Sequence, residues 1–324
     1  MKAIRCKEFG PPSSLVLEEM AGLKPGAKEV VVEVKACGIN FPDTLIIQGL
    51  YQFKPELPFT PGSDIAGIIK EVGHEVKHLA IRDEVFGFVF NGGFAEEVIV
   101  PANTCFLKSK KMNFPVAASF MVAYGTSYHA LKDRAKLAEG ETLLVLGASG
   151  GVGLAAVELG KLMGATVIAA ASTEEKLQLC REYGADHTIN YATEDLKSSI
   201  KELTGSKGAD VIYDPVGGEY SEAAFRGIAW GGRFLVVGFA SGTIPKMPLN
   251  LPLLKTASIV GVFWGDFAMR EPKKNMENTM TLMNWYDKGM LNPHIHRTYE
   301  LKETAMALED MINRRSRGKL VIQM

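Results

Sequence analysis

The apolar run Leu143-Leu144-Val145-Leu146 breaks at once into Gly147-Ala148-Ser149-Gly150-Gly151-Val152-Gly153 and then opens the helical stretch Leu154–Met163. A short, wholly apolar run reads as a parallel strand covered on both faces. The glycines let backbone N–H groups approach a pyrophosphate, and the helix N-terminus behind them favours negative charge. The chemistry these residue types predict is dinucleotide binding, held by Gly147, Ser149, Gly150, Gly151 and Val152. The spacing is G-x-x-G-x-x-G, not G-x-G-x-x-G, so context has to carry the reading. A strand precedes the turn and a helix follows it. A second strand candidate, Thr166–Ala171, ends about 20 residues on, where the ribose of a dinucleotide lies. The competing reading is an ordinary glycine-rich strand–helix turn.

The end of that second strand bears on which nucleotide is held. A site for NAD usually places Asp or Glu there to bind the ribose 2′-OH. Here the strand ends Ala170-Ala171-Ser172. The hydroxyls of Ser172 and Thr173 suit a 2′-phosphate, and Lys176 adds a positive charge one turn later. The expected cofactor is therefore NADPH. Ser172-x-x-Glu175 also fits a capping box for the next helix, which would leave Thr173 and Lys176 free for the phosphate. Glu174 and Glu175 oppose a phosphate site unless they turn away.

Composition bounds the rest. A chain of 324 residues exceeds what one core usually holds and predicts two domains. The 36 basic and 37 acidic residues give a net charge of −1, so nothing draws the chain to nucleic acid or to an anionic membrane. No apolar run reaches membrane-spanning length. The four cysteines, Cys6, Cys37, Cys105 and Cys180, are scattered and fit reduced thiols. Met1–Arg5 runs directly into strand-like sequence with no leader pattern, so a cytoplasmic protein is expected.

Up to about residue 120 the chain is β-rich, with strand candidates at Val30–Ala36, Asp64–Val72, Asp83–Phe90 and Phe94–Val100. Turn chemistry separates them, and a barrel or sandwich is expected. Strands and helices then alternate. The strands are Thr142–Leu146, Thr166–Ala171, His187–Asn190, Val211–Asp214, Arg233–Val237 and Ser258–Phe263. The helices between them are Gly151–Met163, Glu174–Tyr183, Leu196–Leu203 and Tyr220–Ile228. That alternation predicts an α/β fold with a doubly wound parallel sheet. A long helix (Lys274–Lys288), a strand (His294–Tyr299), a helix (Leu301–Asn313) and a last strand (Lys319–Gln323) follow, so the chain is expected to return to its first domain.

Several motifs in this order carry a resemblance over essentially the whole chain. They include Gly38-Ile39-Asn40-Phe41-x-Asp43, Pro61-Gly62-x-Asp64-x-Ala66-Gly67, Tyr124-Gly125-Thr126, Gly184-Ala185-Asp186, Asp214-x-Val216-Gly217-Gly218 and Gly318-Lys319. The chain resembles the medium-chain dehydrogenase/reductase superfamily, and within it the zinc-free NADPH:quinone oxidoreductases of the ζ-crystallin group. The resemblance implies a doubly wound parallel Rossmann sheet for NADP at residues 121–264. It also implies a β-rich GroES-like barrel domain at residues 1–120 and 265–324. Zinc-dependent members place a Cys where this chain has Asn40 and His-Glu where it has Ser63-Asp64. Cys37 and Asp64 alone do not make a zinc ligand set, and His294-x-His296 lacks a third ligand, so no metal is expected. Without a Lewis acid, the acceptor must itself be electrophilic, as quinones and conjugated enones are.

The resemblance further implies the site. Asn40 and Thr126 would lie at the nicotinamide end, and Asn40 would hold the ribose hydroxyls or orient substrate. Tyr51 would bond or stack on the quinone, or would simply be a packing tyrosine. Tyr191 belongs near the adenosine phosphate; Gly217, Gly238 and Phe239 belong at the carboxyl edge of the sheet. Phe263 and Trp264 would wall the nicotinamide pocket or pack in a core or dimer contact. Arg314, Gly318 and Lys319 would reach the cofactor phosphates. A homodimer is implied, with the strand near Ser258–Phe263 pairing across a two-fold axis. The leading expectation is an NADPH-dependent, metal-free quinone reductase. Two alternatives stay open: an NADPH-dependent reductase of activated C=C bonds, in 2-alkenals, enones or 2-haloacrylates, and an NADPH-binding structural or RNA-binding protein. Balanced charge argues against nucleic acid.

Overall fold

The strand Glu29–Ile39 organises the first part of the chain. In the computed structural model, which describes residues 1–324, it pairs antiparallel along one side with Asp64–Val72. Its other side is shared. Glu29–Glu33 pair with Glu97–Pro101, and Ala36–Ile39 pair with the chain's last strand, Lys319–Gln323. That last strand lies parallel to Ile295–Glu300, while Asp64–Val72 continues through Glu84–Phe88 to Cys105–Leu107. The hydrogen-bonded path therefore has two ends, so the expected barrel is an open mixed sheet. Val32, Ile39, Ile65, Val85 and Leu320 fill its core.

The second part is a six-stranded sheet, parallel throughout. In spatial order its strands are His187–Asn190, Thr166–Ala171, Thr142–Leu146, Ala209–Asp214, Ile228–Val236 and Ser258–Gly261. Numbered along the chain this is 3-2-1-4-5-6, the doubly wound nucleotide-binding order, with its switch point between the first and fourth strands. Leu143, Leu144, Val145 and Leu146 are wholly buried, as a strand covered on both faces requires. The helices Gly151–Leu162, Glu174–Glu182, Leu196–Leu203 and Glu219–Arg226 connect the strands.

Two compact units result: Met1–Val122 with Pro293–Met324, and Ala123–Asn292. The second join thus falls near residue 292 and not at 265. The reason is the helix Pro272–Asp287, whose Asn275 and Asn278 bond Trp264 and Asp133 inside the parallel-sheet unit. The predicted helix Tyr220–Ile228 ends at Arg226, and Ile228 already pairs with Ala209. The predicted strand Ser258–Phe263 stops at Gly261, and Phe263 precedes a short helix, Trp264–Arg270. A helix not foreseen, Met121–Tyr128, runs on into π-helical turns at His129–Ala135.

Candidate active site

The glycine turn sits where the sequence placed it, at the carboxyl end of the first parallel strand and beside the switch point. Gly147 has φ +56°, a left-handed conformation, and a Cβ there would stand 2.7 Å from Val216. At Gly153 a Cβ would meet the Gly147 carbonyl oxygen at 2.3 Å, so glycine lets the helix close on the turn. The N-cap is Gly150, whose N–H bonds the Gly147 carbonyl; no side chain caps this helix. The bare helix start offers its N–H groups and positive end to an anion. Ser149 is buried in the turn, and Gly151 and Val152 open the helix.

Two supports of this turn stand out, the first at residues outside the motifs and the second at the first residue of one. Ser127 Oγ donates to the Val152 carbonyl at 2.8 Å and lies 2.9 Å from the Tyr213 hydroxyl. Both residues are buried, and together they tie the unforeseen helix and the fourth strand to the cradle. Asp214 organises the neighbouring loop. Its Oδ1 accepts the N–H groups of Val216 (2.8 Å) and Gly217 (2.9 Å), and its Oδ2 accepts Ser221 Oγ (2.5 Å). The Gly217 N–H is thereby engaged inside the loop. Burial pushes the Asp214 carboxyl up despite these donors. Ser127 lies far in sequence from the adjacent Tyr213 and Asp214 and gives no periodic signal; only the folded chain brings it to the turn.

At the end of the second strand, the helix cap differs from the expected one. Thr173, not Ser172, is the N-cap, with Oγ1 accepting the Lys176 N–H at 3.4 Å. The chain stays extended through Thr173, so the cap position moves one residue on. Thr173 is therefore not free, as the capping box at Ser172 would have left it. Glu174 turns along its own helix to Arg181 at 2.6 Å. The strand end holds no carboxylate among Ala170, Ala171 and Ser172. Tyr191 is half-buried, its ring 4.4 Å from that of Tyr220. Gly238 and Phe239 follow the fifth strand, half-buried at its carboxyl end. Thr126 is half-buried on the helix Met121–Tyr128. Phe263 is exposed, whereas Trp264 is buried: its Nε1 donates to Asn275 Oδ1 at 3.1 Å, and its ring fills the space beside Gly125. Trp264 is thus packed in the core of its unit.

The open-sheet unit gathers a second polar constellation. Strand register builds it: Asp64 lies opposite Gly38 on one side, and Leu320 opposite Ile39 on the other. Asn40, Asp64 and Lys319 therefore converge at the strand end. Lys319 Nζ donates to the Ile39 carbonyl at 3.0 Å and to Asn40 Oδ1 at 2.5 Å, and it lies 3.6 Å from Asp64 Oδ2. Asn40 Nδ2 faces the Gly38 carbonyl at 3.4 Å and lies beside Asp64. Asp43 Oδ2 caps the Asn40 backbone N–H at 2.7 Å at the start of the short helix Phe41–Ile46. Asp64 is 0% exposed and Lys319 5%. Burial raises both carboxyls and lowers the ammonium, because water is missing from every charge. Burial likewise pushes up the Cys37 thiol nearby.

One expectation needs correction here. Lys319 does not extend to a phosphate: its ammonium is enclosed by interior oxygens. Asn40 has both ends of its amide engaged within the cluster. Gly318 is buried against His294, and Arg314 is exposed at the close of the last helix. Tyr51 is half-buried against the core, and burial followed by the nearby Asp43 raises its hydroxyl.

A glycine cradle on a 3-2-1-4-5-6 sheet, in one chain with an open mixed β unit, is the plan of the medium-chain dehydrogenases/reductases. The sequence profile of the alcohol dehydrogenase GroES-like domain matches residues 26–110, and that of zinc-binding dehydrogenases matches residues 151–284. The quinone oxidoreductase-like protein 2 homolog of Nematostella vectensis is 40% identical over 99% of this chain and 88% of that protein. Its counterpart in Bos taurus is 38% identical over 100% of this chain and 92% of that protein. The structure of Escherichia coli quinone oxidoreductase complexed with NADPH superposes with a TM-score of 0.93 at 29% identity, covering 100% of both chains. The chain belongs to the quinone oxidoreductase group of the medium-chain dehydrogenase/reductase superfamily and is an oxidoreductase. No helix in it is long and apolar enough to cross a membrane.

Proposed function

We propose that the protein is an NADPH-dependent reductase of quinones that works without a metal. The observation that carries the nucleotide reading is the cradle itself: a helix start with no side-chain cap, and a Cβ-free path at Gly147 and Gly153, beside a strand end that lacks a ribose-binding acid. Gly147, Ser149, Gly150, Gly151 and Val152 would hold the pyrophosphate. Ser172 and Lys176 would take the 2′-phosphate, with Thr173 capping the helix that carries Lys176. Tyr191, Gly217, Gly238, Phe239, Thr126 and the exposed Phe263 would line the rest of the cofactor's path. NADPH, when bound, supplies the hydride. The protein's part is to hold the acceptor's carbonyl, for which the Tyr51 hydroxyl is the proposed hydrogen-bond donor.

The relatives named quinone oxidoreductase support the acceptor class. The donor set supports the absence of metal, since no three His, Cys, Asp or Glu side chains converge. A homodimer is part of the proposal. It is supported by the edge strand Ser258–Gly261, unpaired on its outer side, and by Leu249 and Leu253, 78% and 77% exposed, just before it.

The test follows NADPH absorbance with an ortho-quinone, with a simple enone in parallel and NADH as control. Quinone-dependent loss of NADPH with slower use of NADH supports the proposal. Turnover of the enone alone assigns the chain to alkene reduction, and tight NADPH binding without turnover removes the catalytic reading.

A further inference from the structure

The chain matches the zinc-binding dehydrogenase profile over residues 151–284, and the polar residues at the strand end, which lie outside that stretch, do not fit zinc. A zinc site needs three or four N, S or carboxylate ligands around one point. Around the Lys319 Nζ stand a backbone carbonyl (Ile39), an amide oxygen (Asn40) and a single carboxylate (Asp64). All three are oxygens, and an ammonium already occupies their centre. The Asp64 side chain also keeps one buried oxygen, Oδ1, without a hydrogen-bond partner.

We propose that the ammonium of Lys319 is a tethered internal cation, which organises Asn40 and Asp64 as a metal ion would and keeps metals out of that position. This inference rests on the metal-independent reading above and deepens it. Three points carry it. The ammonium donates to two oxygens at the strand end, those of Ile39 and Asn40, and pairs with the Asp64 carboxylate at 3.6 Å. Its stem is fixed, because Leu320 pairs with Ile39 in the sheet. Charge and volume both exclude a second cation while it is there. The same geometry says what would replace it. Oxygen donors from a carbonyl, an amide and a carboxylate suit a hard ion such as Mn²⁺ or Ca²⁺ in preference to zinc.

The experiment measures metal in the purified protein by elemental analysis and Mn²⁺ binding by electron paramagnetic resonance and thermal melting. It compares the wild type with Lys319→Ser and Lys319→Ser/Asp64→Asn. The wild type is expected to carry no stoichiometric metal and to show no Mn²⁺-dependent melt. Lys319→Ser should bind one Mn²⁺ at least about tenfold more tightly than the wild type, in the range of weak oxygen-ligand sites, and its melt should rise with Mn²⁺. Removing the carboxylate as well should abolish that response. If the wild type takes up stoichiometric zinc, the metal-independent reading and this proposal both fall. If the wild type is metal-free but Lys319→Ser binds no Mn²⁺, the tethered-cation proposal alone falls. A Lys319→Ser chain that stays unfolded even in Mn²⁺ has the same meaning, since a cation supplied from outside then fails to replace the ammonium.

Discussion

Gly147 and Gly153 exclude a side chain for different reasons, and the difference is measurable. At Gly147 the backbone itself is left-handed, so any L-residue is strained before contacts are considered. At Gly153 the conformation is helical and only space forbids a Cβ, 2.3 Å from a backbone oxygen that has no rotamer to change. Gly153→Ala must therefore push the helix away from the turn. A stability loss of about 1–3 kcal/mol is expected from such overpacking. A fall in NADPH affinity of roughly tenfold or more is expected as the helix start moves. Thermal melts and a fluorescence titration check both; an alanine variant that binds NADPH as the wild type does would place the nucleotide elsewhere. At the strand end the argument concerns charge. Ser172→Asp puts a carboxylate where a ribose 2′-OH would donate to it and a 2′-phosphate would be repelled. The ratio of NADPH to NADH affinity should fall at least about tenfold, as expected when a phosphate meets a like charge. An unchanged ratio would remove Ser172 from the proposed phosphate site.

At the scale of elements, the helix Gly151–Leu162 is held at both ends by groups from outside it. Ser127 takes its Val152 carbonyl, and Glu158 receives the Tyr124 hydroxyl at 2.7 Å and the Asn292 N–H at 2.7 Å. Ser127→Ala should lower stability by about 1–3 kcal/mol, because the Tyr213 hydroxyl is then left buried without its partner. Glu158 adds a pH signature. Burial raises its carboxyl above the ordinary range, so the folded state binds its proton more tightly than the unfolded chain does. Its contribution is then fully present below the unfolded value of about 4.3 and is lost as pH rises through the folded value. The stability of the wild type relative to Glu158→Gln should accordingly decline as pH rises above the unfolded value, in denaturant titrations; a flat or rising difference would contradict it. These ties also mark the limit of what the sequence makes legible. The parallel strands and their helices announce themselves through apolar runs and helical periodicity, as Leu143–Leu146 and Leu196–Leu203 do. The helix Met121–Tyr128 is apolar on most sides and lies wholly between better-marked elements, so its pattern carries no period. For Lys319, Asn40 and Trp264 the sequence leaves one shared thing open. Each is a polar or amphipathic side chain turned inward, and a sequence shows a residue's chemistry without the direction in which it points.

For the whole molecule, assembly is the open consequence of the parallel sheet's topology. Four of its six strands have a neighbour on each side, and of the two edge strands Ser258–Gly261 presents an unpaired outer edge with Ile259 exposed. Such an edge is a hazard unless something covers it. A second copy meeting it across a two-fold axis would pair each strand with itself, because a two-fold contact matches the same patch on both partners. Antiparallel pairing would then extend the two sheets into one, and Leu249 and Leu253 would leave water with it. A charge set into that edge tests the idea without touching the nucleotide cradle. Ile259→Lys should shift the protein from dimer to monomer in sedimentation velocity, while the NADPH affinity per chain changes less than about threefold, as expected for sites with no shared partners. A wild type that sediments as a monomer would remove the dimer outright. A dimer that persists in Ile259→Lys would move the contact to another face.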